Sequence, residues 1–301
     1  MTWRKLGLLC GDSGGARWAA SHAALPVVDP LEGGRHRVYF SGRDDRGRAS
    51  IGWGDVDLGA PATWTVSEEP VIVPGPLGEF DDSGVTSSCL VNHSGTKYQF
   101  YTGWSLGVTV PFYLNVGLAV SHDGGTTYER VRKSPVLERS EIDPLLTASP
   151  WILIEGGVWR MWYVSAVRWS ITGGRPRHHY HIRYAESRDG LHWNRTGVVC
   201  IDFKSDEEYA ISRPCVVRDG SVYRMWYASR GESYRIGYAE SADGVVWRRL
   251  DEEAGITVSR SGWDSDMIEY PCVFDAGNRR LMLYNGNDYG RTGIGIAELD
   301  R

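Results

Sequence analysis

Long apolar runs are missing from this chain of 301 residues, and none approaches the roughly 20 residues that a membrane-spanning helix needs. The apolar stretch nearest the start, Leu6–Cys10, is too short for the core of a secretion signal. The expectation is a cytoplasmic protein without membrane contact. Basic runs are missing as well. With 33 Lys and Arg against 38 Asp and Glu, and a formal net charge of −5, the chain lacks the footprint of a nucleic-acid partner. Cysteine is sparse and odd in number, five in all. No Cys-x-x-Cys pair or His spacing points to zinc. A Gly-rich phosphate loop, a Gly-x-Ser-x-Gly elbow and long helical periodicity are also absent, which excludes the P-loop and the α/β-hydrolase nucleophile turn. No cofactor is expected and no metal is required, although a cation held by Asp side chains at a ring centre stays open.

Aromatics are plentiful, with 13 Trp and 16 Tyr, and they recur in order. Val222–Arg248 reads as a short aromatic strand (Tyr223–Ala228), a polar loop, an alternating strand (Arg235–Glu240), an Asp243-Gly244 turn and the start of another strand. The same wording stands earlier, as Trp159–Tyr163, His181–Ser187, Asp189-Gly190 and Trp193. Weaker copies bring the count to five. Their first strands begin near Leu25-Pro26, Ser87-Ser88, Ser149-Pro150, Arg213-Pro214 and Tyr270-Pro271. A repeat of about 40–50 residues with about four strands is the signature of a propeller blade. The expectation is an all-β, five-bladed β-propeller forming a single domain over residues 1–301. The last unit stops after its third strand, and Thr2–Leu6 resembles the fourth-strand text Val246–Leu250. The N-terminal strand is therefore expected to complete the last blade and close the ring, hiding an exposed sheet edge.

Blade geometry sorts the polar residues. The loop leading into each first strand and the loop between second and third strands share one face near the axis. The Ser-x-Asp turns at Ser121/Asp123, Ser187/Asp189 and Ser241/Asp243 fall on the other face, and their aspartates are expected to cap backbone N–H groups. Cys89, Cys215 and Cys272 share one repeat position and are expected to pack as small buried residues. Asp81, Asp264 and Asp206 sit in corresponding lead-in loops and read as braces. On the axial face stand Asp12, Arg17, Trp18 and His22 of unit one, the Arg43-Asp44 pair, Asp82, Trp104, the long inner loop Ser165–Tyr180 with Trp169 and His178-His179, Arg213, Arg230, Glu269 and Asn287-Asp288. Residues that break the repeat are the better candidates for chemistry.

A polar funnel with aromatic faces and carboxylates suits sugars. Glycoside cleavage needs an acid and a base or nucleophile, about 5–5.5 Å apart for retention and about 6.5–9.5 Å for inversion. The candidates are Asp82 and Glu269 as acid and base, with Asp44 tuning a pKa or binding a hydroxyl. Arg43, Arg213 and Arg230 are expected to hold an anionic group, because arginine forks bind phosphate and carboxylate. Trp104 and Trp169 would form a sugar platform, and His22, Asn287 and Asp288 complete the binding set. The expected partner is a small sugar, sugar phosphate or sugar nucleotide.

The repeated Met-Trp-Tyr … Tyr-Ala-Glu-Ser-x-Asp-Gly … Trp text resembles the five-bladed propeller superfamily of glycoside hydrolases, which includes arabinanases, β-xylosidases, invertases, levansucrases and mannoside phosphorylases. Phe80–Thr86, Ser212–Pro214, Gly262–Asp266 and Tyr284–Asn287 resemble more closely a bacterial glycosidase-like propeller family. The resemblance implies a carbohydrate-active enzyme of glycosidase type. It also implies an Asp at the first strand of blade one, an Asp in blade two and a Glu in blade three. This chain has His22-Ala23-Ala24 at the first place, Asp82 at the second and Thr147-Ala148-Ser149 at the third, so the triad does not carry over. Two rivals therefore stand beside hydrolysis: a sugar-binding propeller without catalysis, and mutase, epimerase, lyase or phosphorylase chemistry on the same scaffold.

Overall fold

The aromatic repeats become the middle strands of antiparallel sheets, because bulky β-branched and aromatic side chains pack best on a pleated surface. The computed structural model describes residues 1–11, 16–58 and 64–300; Asp12 lies outside them. In chain order the strands are β1 (Trp3–Cys10); β2 (Ser21–Pro30), β3 (Arg35–Arg43), β4 (Ala49–Asp57) and β5 (Trp64–Val66); β6 (Gly84–His93), β7 (Thr96–Leu106), β8 (Phe112–Ser121) and β9 (Glu129–Arg130); β10 (Thr147–Glu155), β11 (Val158–Thr172), β12 (Arg175–Ser187) and β13 (Trp193–Ile201); β14 (Ala210–Asp219), β15 (Val222–Arg230), β16 (Tyr234–Ser241) and β17 (Arg248–Arg249); and β18 (Glu269–Ala276), β19 (Arg279–Asn285) and β20 (Ile294–Leu299). Helix among the described residues amounts to three short 3-10 turns and one four-residue turn at Asn287–Gly290.

Each set runs antiparallel from its first strand outwards. The last is completed by β1, which pairs with β20 in the order β1-β20-β19-β18. Single parallel contacts, Ala49 with Gly84 and Tyr180 with Ala210, join sets one and two, and sets three and four, into eight-stranded sheets. The first strands lie side by side: β2 against β6 and β18, β10 against β6 and β14, and β14 against β18. Polar links stitch the same sets. Ser87 N–H donates to Ser41 Oγ at 2.8 Å. Ile152 N–H donates to Cys89 Sγ at 3.3 Å and Val273 N–H to Cys215 Sγ at 3.1 Å. Trp151 Nε1 donates to the Val216 carbonyl at 2.9 Å. The Asn285 amide, from β19, receives Leu25 N–H at 2.8 Å and donates to the Ala23 carbonyl at 2.7 Å. The cysteines of the first strands are thus small buried acceptors, and burial pushes the Cys89 thiol up to about 12.

Apolar cores lie between consecutive sets. Val27, Tyr39 and Ile51 meet Val85 and Tyr101. Phe100 and Leu118 meet Ile152, Met161 and Tyr163, and Trp162 and Ile182 meet Val216, Met225 and Tyr227. Trp226 and Tyr238 meet Val273, Met282 and Tyr284, and Leu281 and Leu283 meet Val38 and Phe40. The repeated glycine of the third strands makes room for the tyrosine of the second: a Cβ at Gly117 would stand 2.2 Å from the Tyr101 ring, and one at Gly237 2.4 Å from the Tyr227 ring.

Those same tyrosines are tied down by acids. Tyr101 donates to Asp81 at 3.0 Å, Tyr163 to Asp143 at 2.9 Å and Tyr284 to Asp264 at 3.0 Å. In set four the brace is Asp251, which Tyr227 reaches at 2.5 Å. Asp206, expected in that place, is exposed instead. The far-face turns follow their reading. Asp123 accepts the N–H groups of Thr126 and Thr127 at 3.0 Å, and Asp189 and Asp243 serve their turns in the same way. The segment Ser165–Tyr180, expected as a long loop, is instead a β-hairpin. Strands β11 and β12 continue their ladder from Arg168 opposite His179 to Thr172 opposite Arg175, and turn at Gly173-Gly174.

Candidate functional site

The first strands share a local distortion. Register shifts interrupt their pairing with the second strands between Ala24 and Val27, Ala148 and Trp151, Ser212 and Cys215, and Glu269 and Cys272. At each bulge a pre-proline residue takes a left-handed conformation: Leu25 (φ 56), Ser149 (φ 45), Arg213 (φ 53) and Tyr270 (φ 55). Proline lacks the N–H that a ladder would require, so a bulge accepts it. The left-handed residue before it is costly and persists only where its surroundings fix it. Leu25, Ser149 and Tyr270 all line one cavity of about 350 Å³.

Every set contributes to that cavity. Leu25 and Arg43 come from set one; Thr86, Thr102, Trp104 and Phe112 from set two; Ser149, His178 and Tyr180 from set three; Ser212, Arg230 and Tyr234 from set four; and Tyr270 and Tyr289 from set five. Among the described residues, no Asp or Glu lines it. Arg230 is framed by aromatic rings, with its guanidinium 5.5 Å from the centres of Tyr209 and Tyr289 and 5.3 Å from that of Tyr234. It donates to the Tyr289 hydroxyl, and its buried Nε has no partner among the described residues. Tyr180 and Tyr234 share a hydroxyl contact of 2.8 Å. His178 stacks on Tyr180 at 4.5 Å. Burial, then Arg230, His179 and Arg177, lower His178 to about 4, so it is neutral at pH 7. A smaller annex of about 80 Å³ shares Leu25, Arg43, Thr86, Tyr270 and Tyr289 with this cavity and adds His22 and Ser41.

Of the residues singled out from sequence, Arg43, Trp104 and Arg230 line the main cavity, and His22 lines the annex. Trp169 stands one shell back, against Phe112 at 5.5 Å and His178 at 5.8 Å. Glu269 is fully buried, and neither of its oxygens has a hydrogen-bond partner among the described residues. Burial pushes this carboxyl well above the usual carboxylate range, against smaller opposing effects of the Tyr270 hydroxyl and Arg230. The hydroxyl is near enough to act electrostatically without hydrogen-bond geometry.

The other candidates are committed elsewhere. Asp82 accepts Gly78 N–H at 3.0 Å and Ser83 Oγ at 2.8 Å. Asp44 accepts the N–H groups of Arg46 and Arg48 and pairs with the Arg48 guanidinium. Both are turn caps outside the cavity lining, so an acid–base pair of Asp82 and Glu269 with Asp44 beside it is not assembled. Arg213 is fully buried and is not among the cavity's lining residues. From set four it crosses to the Pro26 carbonyl of set one at 2.8 Å and to the Ser87 and Ser88 carbonyls of set two. The guanidinium therefore occupies the middle of the assembly. No group of three or more His, Cys, Asp or Glu side chains among the described residues could hold a metal ion. Asn287 braces the loop before β18, accepting Asp266 N–H at 2.8 Å and Met267 N–H at 3.1 Å. Asp288 is exposed and bears on the cavity only through its charge near His22.

Sequence reasoning missed the tyrosines 180, 234, 270 and 289. Tyr270 had a signal, since it precedes a repeated proline. It also missed Trp151, which packs against four of the cores at once.

No family model matches the chain. It is 48% identical over its full 301 residues, and over all of the relative, to the uncharacterized protein MT1551 of Mycobacterium tuberculosis (strain CDC 1551 / Oshkosh). It is 47% identical over the same span to the uncharacterized protein Rv1502 of strain ATCC 25618 / H37Rv. Among solved structures, a glycoside hydrolase superposes with a TM-score of 0.77 at 18% identity, over 99% of this chain and 92% of the other protein. A thermostable family-43 glycoside hydrolase superposes at 0.72 and 16% identity, over 96% and 92%. No helix of the described residues is long and apolar enough to cross a membrane. The chain belongs to the family of MT1551 and Rv1502, and its fold is that of the propeller-type glycoside hydrolases.

Proposed function

We propose that the five four-stranded sets are the blades of a single propeller domain closed by β1, and that its axial cavity receives an anionic sugar on a glycosidase-type scaffold. The cycle of first-strand contacts and the pairing of β1 with β20 support the ring. One observation carries the ligand class. Arg43 and Arg230 line the cavity without an ion pair among the described residues, amid aromatic walls and without a lining carboxylate. Arg230, half-buried among three aromatic rings with an unpartnered Nε, costs desolvation that an anion would offset, and Arg43 adds a second cation from an exposed position. Trp104 and the tyrosines offer faces to a pyranose, and the arginine forks suit a phosphate or carboxylate. An activated or phosphorylated sugar also fits a cytoplasmic protein.

In the enzymatic form of this reading Glu269, kept protonated by burial, is the proton reserve. Tyr270, which is its chain neighbour and lines the cavity, would pass that proton to the ligand once its hydroxyl turns into hydrogen-bond geometry with Glu269. No carboxylate lines the cavity among the described residues, and this favours a second reading, binding without hydrolysis.

A thermal-shift panel tests both, with sugar phosphates, sugar nucleotides, acidic sugars and neutral sugars in separate wells. A ligand at 100 times its dissociation constant stabilises by about 2.7 kcal/mol. Shifts confined to the charged sugars support the proposal, and shifts confined to neutral sugars overturn it. Incubation of each hit with the protein, followed by mass spectrometry, separates turnover from binding alone.

A further inference from the structure

The annex beside His22 is a side chamber of about 80 Å³, less than a quarter of the main cavity's volume of about 350 Å³. It opens off the main cavity, sharing Arg43, Thr86, Tyr270 and Tyr289 with it. Its polar lining residues come from different strands: His22 from β2, Ser41 and Arg43 from β3, Thr86 from β6 and Tyr270 from β18, with Tyr289 from the turn before β20. Ser41 Oγ accepts Ser87 N–H and keeps its own proton to donate. Tyr289 already receives a hydrogen bond from Arg230, so its hydroxyl proton also points elsewhere. Among the described residues, no Asp or Glu lines the annex.

From this arrangement, and resting on the anionic-sugar reading above, we propose that the annex is the seat of a tetrahedral oxyanion, a phosphate or sulfate ester carried by the ligand, with the sugar ring in the larger chamber. Donors from several strands match an anion with three free oxygens better than a planar carboxylate, which a single guanidinium fork satisfies.

The seat carries a proton linkage. His22 has a left-handed backbone (φ 64), and its Nδ1 lies 3.0 Å from Ser21 Oγ. Burial does most to disfavour its cation, Arg43 and Arg291 add to this, and Asp288 opposes them, so that the imidazole is lowered to about 4. The imidazole is therefore neutral at pH 6 before an anion binds. A doubly charged oxyanion offsets the arginines and draws a proton onto His22. Binding then takes up to one proton near pH 5–6 and none near pH 8.

Sulfate is the probe, since it does not titrate in this range. Calorimetry on the full chain in buffers of different ionisation enthalpy should show sulfate binding with proton uptake at pH 6. Arg43→Gln, an exposed position that folding does not need, should weaken sulfate at least tenfold, and Arg43→Lys should recover part of the loss. His22→Gln should abolish the proton uptake. Failure of sulfate to bind, binding indifferent to Arg43→Gln, or proton uptake that persists in His22→Gln would each overturn the annex assignment. Failure of the underlying reading looks different: sulfate then binds with these signatures while no phosphorylated sugar does. If phosphorylated sugars bind and Arg43→Gln leaves their affinity unchanged, the reading stands and the annex assignment is wrong.

Discussion

Replacing Glu269 by glutamine should make the protein more stable than the wild type in alkaline solution and leave the two alike in acid. The side chain is fully buried, with both carboxyl oxygens unpartnered among the described residues. Ionising it in place exposes a charge to a site of low polarity, so its folded pKa is raised well above the ordinary value. The sign follows from the proton balance. Between the unfolded pKa of about 4.5 and the folded value, the native protein holds a proton that the unfolded chain has released. Stability is therefore full below about pH 4.5 and falls as pH rises through the window, at up to about 1.4 kcal/mol per pH unit for one proton. Glutamine has no proton to lose and nearly the same shape, and its amide is no better satisfied than the protonated acid. Urea unfolding at pH 5, 6, 7 and 8 measures the difference. The expected result is a gap between variant and wild type that widens with pH at roughly one proton's slope until Glu269 ionises in the native state. A gap that is constant with pH, or that favours the wild type at pH 8, would refute the reading of Glu269 as a buried neutral acid.

Further consequences concern the frame around the cavity. Arg213→Met should cost about 3–5 kcal/mol in urea unfolding, because it strands the carbonyls of Pro26, Ser87 and Ser88 that the guanidinium holds together. A neutral result would mean that the buried charge costs as much as its bonds contribute. Asp143→Asn should also cost about 3–5 kcal/mol, since Asp143 is fully buried and asparagine keeps one acceptor oxygen but not the charge that Arg183 and Arg195 share, and sets an amide N–H₂ among their donors and the Tyr163 hydroxyl. Asp264 is held below the usual carboxylate range by Lys5, Ser259 and Tyr284 against the opposing effect of burial. Its contribution is present at neutral pH and is lost as pH falls through the folded value, so Asp264→Asn should lower the melting temperature more at pH 7 than at pH 3.

How much of this was readable beforehand depended on whether a residue repeats. Met161-Trp162-Tyr163 and Met225-Trp226-Tyr227 announce middle strands because the packing between sets demands the same side chains each time. The Ser-x-Asp turns are local, so Asp123, Asp189 and Asp243 could be assigned from three or four residues of text. The candidate site was less legible. Arg213 and Tyr270 occupy the same bulge position, yet one seals the centre and the other faces the cavity, a choice set by contacts with strands far away in sequence. Asp82 and Asp44 looked available because their partners include backbone N–H groups, which every residue except proline carries. Ser165–Tyr180 looked like a loop because its polar residues conceal the ladder that continues to Thr172. His178, read as part of that loop, stands in the continued ladder and stacks on Tyr180, two residues away on the same face of β12.

The central claim is that the axial cavity selects a sugar bearing negative charge through Arg43 and Arg230. The direct measurement is calorimetric affinity for matched pairs of sugars, each free and as its phosphate ester, against the wild type and Arg230→Gln. The account predicts that for at least one pair the ester binds at least tenfold tighter than the free sugar, and that this preference collapses in Arg230→Gln while the fold, followed by its melting curve, is kept. Equal affinity for ester and free sugar across the pairs, or a preference that survives Arg230→Gln intact, would contradict it.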